Sequence, residues 1–194
     1  MEAGQFVVSS PDEGAILELC RSRQIHYSGE CLVDGKVILT VEEEKHVFVK
    51  VAELPFDSFR KCMSVIVRDR EDVLHVLCKG AETTMVAACT SGPIEETGAH
   101  VDSFASMGLR TLVMAHKTIT PEELEEFDQR LEEANQSFVN RNKYVREVYQ
   151  DMERDMEMLG ATGIEDKLQD EVVETLRDVQ QAGIKVWMMT GDKK

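Results

Sequence analysis

An α+β fold, with an antiparallel twisted sheet flanked by helices and a following βαβ unit, is what the amino-acid sequence predicts, and three observations predict it. Residues 54–81 read LPFDSFRKCMSVIVRDREDVLHVLCKGA. Met63, Val65 and Val67 alternate there with Ser64, Ile66 and Arg68, a charged turn follows at 69–72, and a second β-rich run covers 73–78, the pattern of a hairpin. Further along, two stretches carry apolar residues at helical spacing, Leu124, Phe127, Leu131 and Ala134 in one and Tyr144, Val148, Met152 and Met156 in the other, so helices flank the sheet. Around residue 158 the pattern changes to a short apolar strand, an amphipathic helix and a nearly continuous apolar strand. That order belongs to a parallel sheet covered on both faces, and it places a boundary between residues 1–158 and residues 159–194.

Taken in order, Phe6, Val7 and Val8 form an apolar entry, and Ser9, Ser10, Pro11, Asp12 and Glu13 read as a helix start. Serine caps, proline suits the first turn, and the acids face the positive end of the helix dipole. The helix continues through Ala15, Ile16 and Leu19 to about residue 23. Short β-like pieces occupy 25–54, with a turn at Asp34 and Gly35 and an exposed charged link at 42–45. Val47, Val49 and Val51 alternate with Phe48 and Lys50 and lead into the hairpin. A helix over 81–89 follows Gly80 and is broken by Ser91, Gly92 and Pro93. Val101, Phe104 and Ala105 give 95–107 helical spacing up to Gly108, and 109–115 returns as a strand with Arg110 near its start. Thr120 caps a helix whose first turn holds Pro121, Glu122 and Glu123, and after a bend at 140–142 the second helical stretch runs from about 143 to 158. Beyond the boundary, 159–164 is a strand, and 169–182 is a helix with Val172, Val173, Leu176 and Val179 on its inner face. After Gly183, 184–189 is an apolar strand ending at Thr190, Gly191 and Asp192.

The chain has 194 residues, enough for one good core with a smaller satellite, and a net charge of -15 from 37 acidic and 22 basic residues. That charge argues against a nucleic-acid or anionic-lipid surface, although a local basic pocket for phosphates remains compatible with it. Plain solubility is the other reading of the same charge. No apolar run approaches the length of about 20 residues that a membrane span needs, so a soluble piece is expected. Five cysteines, Cys20, Cys31, Cys62, Cys78 and Cys89, form no Cys-x-x-Cys pair. Neither a disulfide framework nor a zinc site is indicated, a reducing cytosolic setting fits, and the scattered histidines show no metal-ligand spacing.

Three residues stand out for binding. Phe56 lies at the mouth of the hairpin and Lys79 directly after its second strand, so both end at one edge of the sheet, where an aromatic face and a cation would suit a base and its phosphates. Arg110, at a strand start, has the forked geometry that grips phosphate oxygens. The same residue types also serve as a core aromatic, a solvated lysine and a surface arginine.

The residues around them carry a resemblance. Residues 54–67 followed by Cys78, Lys79, Gly80 and Ala81 resemble the nucleotide-binding domain of a P-type ATPase, specifically its type IV, phospholipid-transporting branch, the lipid flippases. Three further blocks fall in that family's order: residues 9–13 (SSPDE), 108–112 (GLRTL) and 163–170 (GIEDKLQD) through 189–193 (MTGDK). The resemblance implies an adenine against Phe56, Lys79 lining the pocket, Arg110 at the phosphates and Glu13 at the base end of ATP. It also implies that Thr190, Gly191 and Asp192 meet the terminal phosphate and its Mg2+, with Ser58, Arg60 and Met63 as further lining. The βαβ unit becomes part of a haloacid-dehalogenase-like phosphorylation domain. The whole protein becomes a multi-pass membrane enzyme whose cytosolic portion this is, with actuator, phosphorylation and membrane domains and an accessory β-subunit as partners.

The family's Asp-Lys-Thr-Gly phosphorylation motif does not occur in the sequence. The expectation is therefore a monomeric portion that binds nucleotide, holds no catalytic residue or metal ligand of its own, and turns nothing over. Which phospholipid moves is not read from these residues. Three other readings stay open: the corresponding portion of a cation-transporting P-type pump, a soluble phosphohydrolase with a related core, and a non-catalytic acidic interaction module.

Overall fold

The computed structural model of the chain describes residues 10–30, 35–165 and 170–189. In chain order the described elements are α1 (Pro11–Ser22), β1 (Ile25–Glu30), β2 (Lys36–Val41), β3 (Glu44–Asp57), β4 (Cys62–Arg68), β5 (Leu74–Gly80), α2 (Glu82–Ala88) and β6 (Cys89–Ser91). They continue with α3 (Ile94–Ser106), β7 (Arg110–Ile119), α4 (Pro121–Gln136), α5 (Arg141–Met152), β8 (Met156–Ile164) and α6 (Val172–Gln181). Among the described residues the strands form one eight-stranded sheet in the order β1-β2-β3-β4-β5-β7-β8-β6. Every neighbouring pair is antiparallel except β6 with β8.

The expected hairpin is β4 and β5, in register through Met63↔Lys79 and Ser64↔Cys78. Its alternation decides which side is core. Leu54, Ser64, Cys78, Ala115 and Met158 are cross-strand partners in one row over five strands, and all are buried. This row and the flanking Ile66, Val76 and Val113 meet Met85, Val101, Phe127, Val148 and Met152 from the helices in a single core. Side chains one position along each strand point to the opposite face.

Local chemistry accounts for the helix boundaries. Thr120 and Glu123 close a reciprocal capping box at the start of α4, and the Ser10 hydroxyl accepts from the Glu13 N–H at the start of α1. Glu42 and Glu43 both have positive φ, 48° and 73°, so the charged link between β2 and β3 is a tight two-residue turn. Gly92, at φ +86, runs so close to β8 that an added Cβ would meet the Met158 carbonyl oxygen at 2.2 Å, which is why the chain can enter β6 and leave it within three residues.

Three expectations are corrected. The second long helix stops at Met152 rather than 158. Asp155 takes φ 55, and the chain turns so that Met156 and Met158 enter the sheet, both as deeply buried as Met85 of α2. The strand near 159–164 is the second half of β8 and pairs antiparallel with β7, so it completes the main sheet instead of opening a parallel one. Residues 184–189 form no strand; the Ile184 N–H donates to the Val179 carbonyl, and Trp187, Met188 and Met189 stand 83%, 90% and 94% exposed. The helix between them forms as expected but buries none of its residues. A βαβ unit is thus absent among the described residues. The expected turn at Asp34 and the motif at Thr190, Gly191 and Asp192 lie outside them.

Candidate functional site

The strand ends carrying the sequence-picked residues come together. β3 ends at Asp57, β4 begins at Cys62, β5 ends at Gly80 and β7 begins at Arg110, all on one edge of the antiparallel sheet. Between the pairs Leu54↔Ser64 and Asp57↔Cys62, two residues of β3, Pro55 and Phe56, oppose the single residue Met63. This is a β-bulge, a device that re-aims a side chain. Phe56 is 66% exposed and opposite Met63, which begins the row Met63, Lys79, Met114 and Gly160 on the face opposite the core. The row offers two methionine side chains flanking one ammonium, and Gly160 adds no side chain to it.

α1 supplies the other wall. Its first turn places the Glu13 carboxylate 3.0 Å from Lys79 Nζ and the Asp12 carboxylate 3.1 Å from Arg110. These side chains are a quarter to two-fifths exposed, so the pairs are partly solvated. Glu13, Lys79 and Arg110 are therefore gathered as expected, and Asp12 is the addition that sequence reasoning passed over as dipole complementarity. The edge thus carries two cations, each paired with an acid of α1, beside an apolar strip and an exposed aromatic residue.

Ser58 is exposed in the turn after β3. Arg60 is elsewhere: it is 2% exposed, on the helix-covered side, where its guanidinium bonds Glu153 and the Pro55 carbonyl and lies 5.0 Å over the Tyr149 ring. Glu153 also accepts from Ser64 Oγ at 2.6 Å and faces Cys62 Sγ at 3.3 Å. Cys78 Sγ donates to the Met85 thioether at 3.6 Å; the neighbouring Cys62 holds the Cys78 thiol below its ordinary value, and the neighbouring Cys78, with burial, pushes Cys62 far up. This buried set lines a cavity of ≈ 430 Å³ with Met85, Gln150 and Arg154. Its signal in the sequence was the hairpin register: Met63 opposite Lys79 puts Cys62 and Cys78 on the same face, one diagonal apart.

At the base of the bulge Asp57 accepts from the Phe59 N–H at 2.6 Å and from Arg146 at 3.1 Å, and these bonds, the first above all, hold its carboxyl below the usual range. Arg146 in turn lies 4.0 Å over the Phe59 ring. α5 is thereby tied to the turn that presents Phe56.

Comparison with known proteins places this antiparallel, helix-flanked domain. Residues 2–171 match the family model described as P-type ATPase, cytoplasmic domain N. The chain belongs to that family. It is similar to a phospholipid-transporting ATPase of Schizosaccharomyces pombe, 40% identical over 194 residues, covering 97% of this chain and 14% of the relative. It is similar as well to mouse phospholipid-transporting ATPase IH, 36% over 189 residues, and human phospholipid-transporting ATPase IG, 35% over 191, each covering 97% of this chain and 16% of the relative. The chain thus spans about one-sixth of the length of these relatives or less.

Proposed function

We propose that this chain is the ATP-binding portion of a phospholipid-translocating P-type ATPase, with ATP stacked on Phe56 and its phosphates on Lys79 and Arg110. The observation that carries the reading is the exposed Phe56 opposite Met63, first of the Met63, Lys79 and Met114 row, at the edge where Arg110 also stands. Glu13 reaches the base end of the pocket, and Met63 and Ser58 border it. The lipid class is supported by the names of the relatives; the charge pattern alone would serve a cation pump equally.

Within the whole protein the chain would face the cytosol, with the actuator, phosphorylation and membrane domains and an accessory subunit as partners. Among the described residues no helix is long and apolar enough to cross a membrane. We place the end of the nucleotide-binding unit after β8, since that strand completes the sheet. Residues from 170 onward, with the exposed apolar run 184–189, then belong to the phosphorylation domain. Mg2+ fits the described pocket poorly, because Asp12 and Glu13 are directed at cations already; its role belongs with the terminal phosphate at Thr190, Gly191 and Asp192. Nucleotide binding without turnover is expected of this chain by itself.

Calorimetric titration of Lys79→Gln and Arg110→Gln with ATP and with adenosine tests the site. ATP should weaken in both variants while adenosine changes little, because only ATP carries the charge these groups meet. Equal loss for the two ligands would assign Lys79 and Arg110 to folding, and the nucleotide reading of this edge would fall.

A further inference from the structure

On the helix-covered side of β4 and β5, a sulfur from each of Cys62 and Cys78 and a carboxylate oxygen of Glu153 lie within 4.8 Å of one another, and all three residues are buried. We propose that these residues form a site for a thiolate-seeking divalent cation, with zinc the ion that its charge and donor set fit. The site stands on the opposite face from the nucleotide edge and does not depend on it.

Its geometry is close to what one ion needs. A tetrahedral ion with bonds of about 2.3 Å to sulfur and about 2.1 Å to oxygen holds a sulfur and an oxygen about 3.6 Å apart, and two sulfurs about 3.8 Å apart. Cys62 Sγ already stands 3.3 Å from Glu153 Oε2. Glu153 is also oriented as a ligand: Arg60 and Ser64 both engage Oε1, which leaves Oε2 turned toward the thiol. Outer partners of this kind fix the direction of a ligating carboxylate. The three residues line a ≈ 430 Å³ cavity with Met85, whose thioether, 3.6 Å from Cys78 Sγ, is available as a fourth donor. Thiolate and thioether donors favour soft and borderline ions over magnesium or calcium.

Charge completes the argument. A buried cluster tolerates little net charge. Without an ion, two protonated thiols and the Arg60 and Glu153 pair sum to zero. Loading a divalent ion breaks two S–H bonds, forms two metal–sulfur bonds and releases two protons to solvent, and the sum is again zero. Arg60, which at first sight repels a cation, is the group that makes the carboxylate neutral in both states.

The test uses the full 194-residue chain, reduced and stripped of metal. Zinc competed against a chromophoric chelator should bind once per chain with release of about two protons at a pH where the thiols start protonated. Cobalt should give the intense near-ultraviolet charge-transfer absorption of thiolate ligation, a readout that needs no variant. Cys62→Ser and Cys78→Ser should each weaken zinc by more than the roughly 10–100-fold expected for loss of an outer partner. A chain with Cys20, Cys31 and Cys89 all changed to serine should keep full affinity. Absence of the cobalt band in the unsubstituted chain, zinc binding that survives Cys62→Ser with Cys78→Ser, or binding lost in the triple-serine control would each overturn the site.

Discussion

Removing the charge of Asp12 should tighten ATP, because the structure has Asp12 occupying a cation that the phosphates need. Its carboxylate is 3.1 Å from Arg110, with side chains 28% and 39% exposed. In bulk water two unit charges at that separation attract by about 1.3 kcal/mol, and partly solvated pairs retain about 0–1 kcal/mol once ordering and screening are deducted. A triphosphate must displace the carboxylate before it takes the guanidinium, so Asp12→Asn removes at most about 1 kcal/mol of opposition, or about 5-fold in affinity. Adenosine, which never meets Arg110, should bind unchanged. The gain should shrink as salt rises from low ionic strength to 0.15 M, where the screening length is about 8 Å. Calorimetry with both ligands at two salt concentrations reads this directly. Loss of an acid from the first turn of α1 costs the fold about 0.3–1 kcal/mol, so a melting curve should accompany each titration. Weaker ATP binding by a folded Asp12→Asn, or equal tightening of adenosine, would show that Asp12 helps hold the nucleotide and would refute the competition.

Three further outcomes are expected. Phe56→Ala, at a residue 66% exposed, should leave stability within about 0.5 kcal/mol and weaken ATP and adenosine alike by about 1–3 kcal/mol; unchanged affinity removes the ring from the site. Glu153→Gln leaves the Arg60 cation buried without its counter-charge and should cost about 3–5 kcal/mol in urea unfolding, while a loss below about 1 kcal/mol would mean the pair is solvated in solution. The Phe59 N–H and Arg146 hold the folded Asp57 carboxyl below its ordinary value, so its contribution is complete above the ordinary carboxyl range and is lost as pH falls through the folded value. The stability gap between the unsubstituted chain and Asp57→Asn should thus be flat at neutral pH and close on acidification, and a gap that persists in strong acid would place its origin outside that carboxyl.

What could be read in advance was whatever depends on local pattern. The β4 and β5 hairpin follows from two β-rich runs around a charged turn, and α4 from a capping box next to a 3.6-residue period, while only the family resemblance brought Arg110 to the edge of Phe56 and Lys79. Non-local pairing was harder to see. Met156 and Met158 fit the helical stripe of α5 as well as they fit a strand, and only Asp155 in a left-handed conformation decides for β8. The three-residue β6 has no periodicity to read and exists because Gly92 lets the chain graze Met158. The thiol and carboxylate cluster joins positions 91 residues apart, Cys62 and Glu153, and no spacing rule reaches that far. Arg60, which the resemblance implies as pocket lining, is instead held on the covered face by Glu153, a partner 93 residues later that no local pattern could show.

The two faces of the sheet are fixed to one another through β4 and β5. Met63 and Lys79 point to the open face only because Cys62, Ser64, Cys78 and Gly80 occupy the covered one, and Gly80 approaches so closely that an added Cβ would meet Cys62 Cβ at 2.6 Å. Any change of register there would exchange the two sets of side chains, which makes the buried row the feature that sets the position of the binding edge. α1 is attached quite differently. It buries none of its residues, and its hold on the edge includes two partly solvated ion pairs, each worth about 0–1 kcal/mol. The rigid wall of the site is therefore sheet and the yielding wall is helix. If the proposed site holds a triphosphate, its several charges would displace the single charge of Asp12 from Arg110 without disturbing the core beneath.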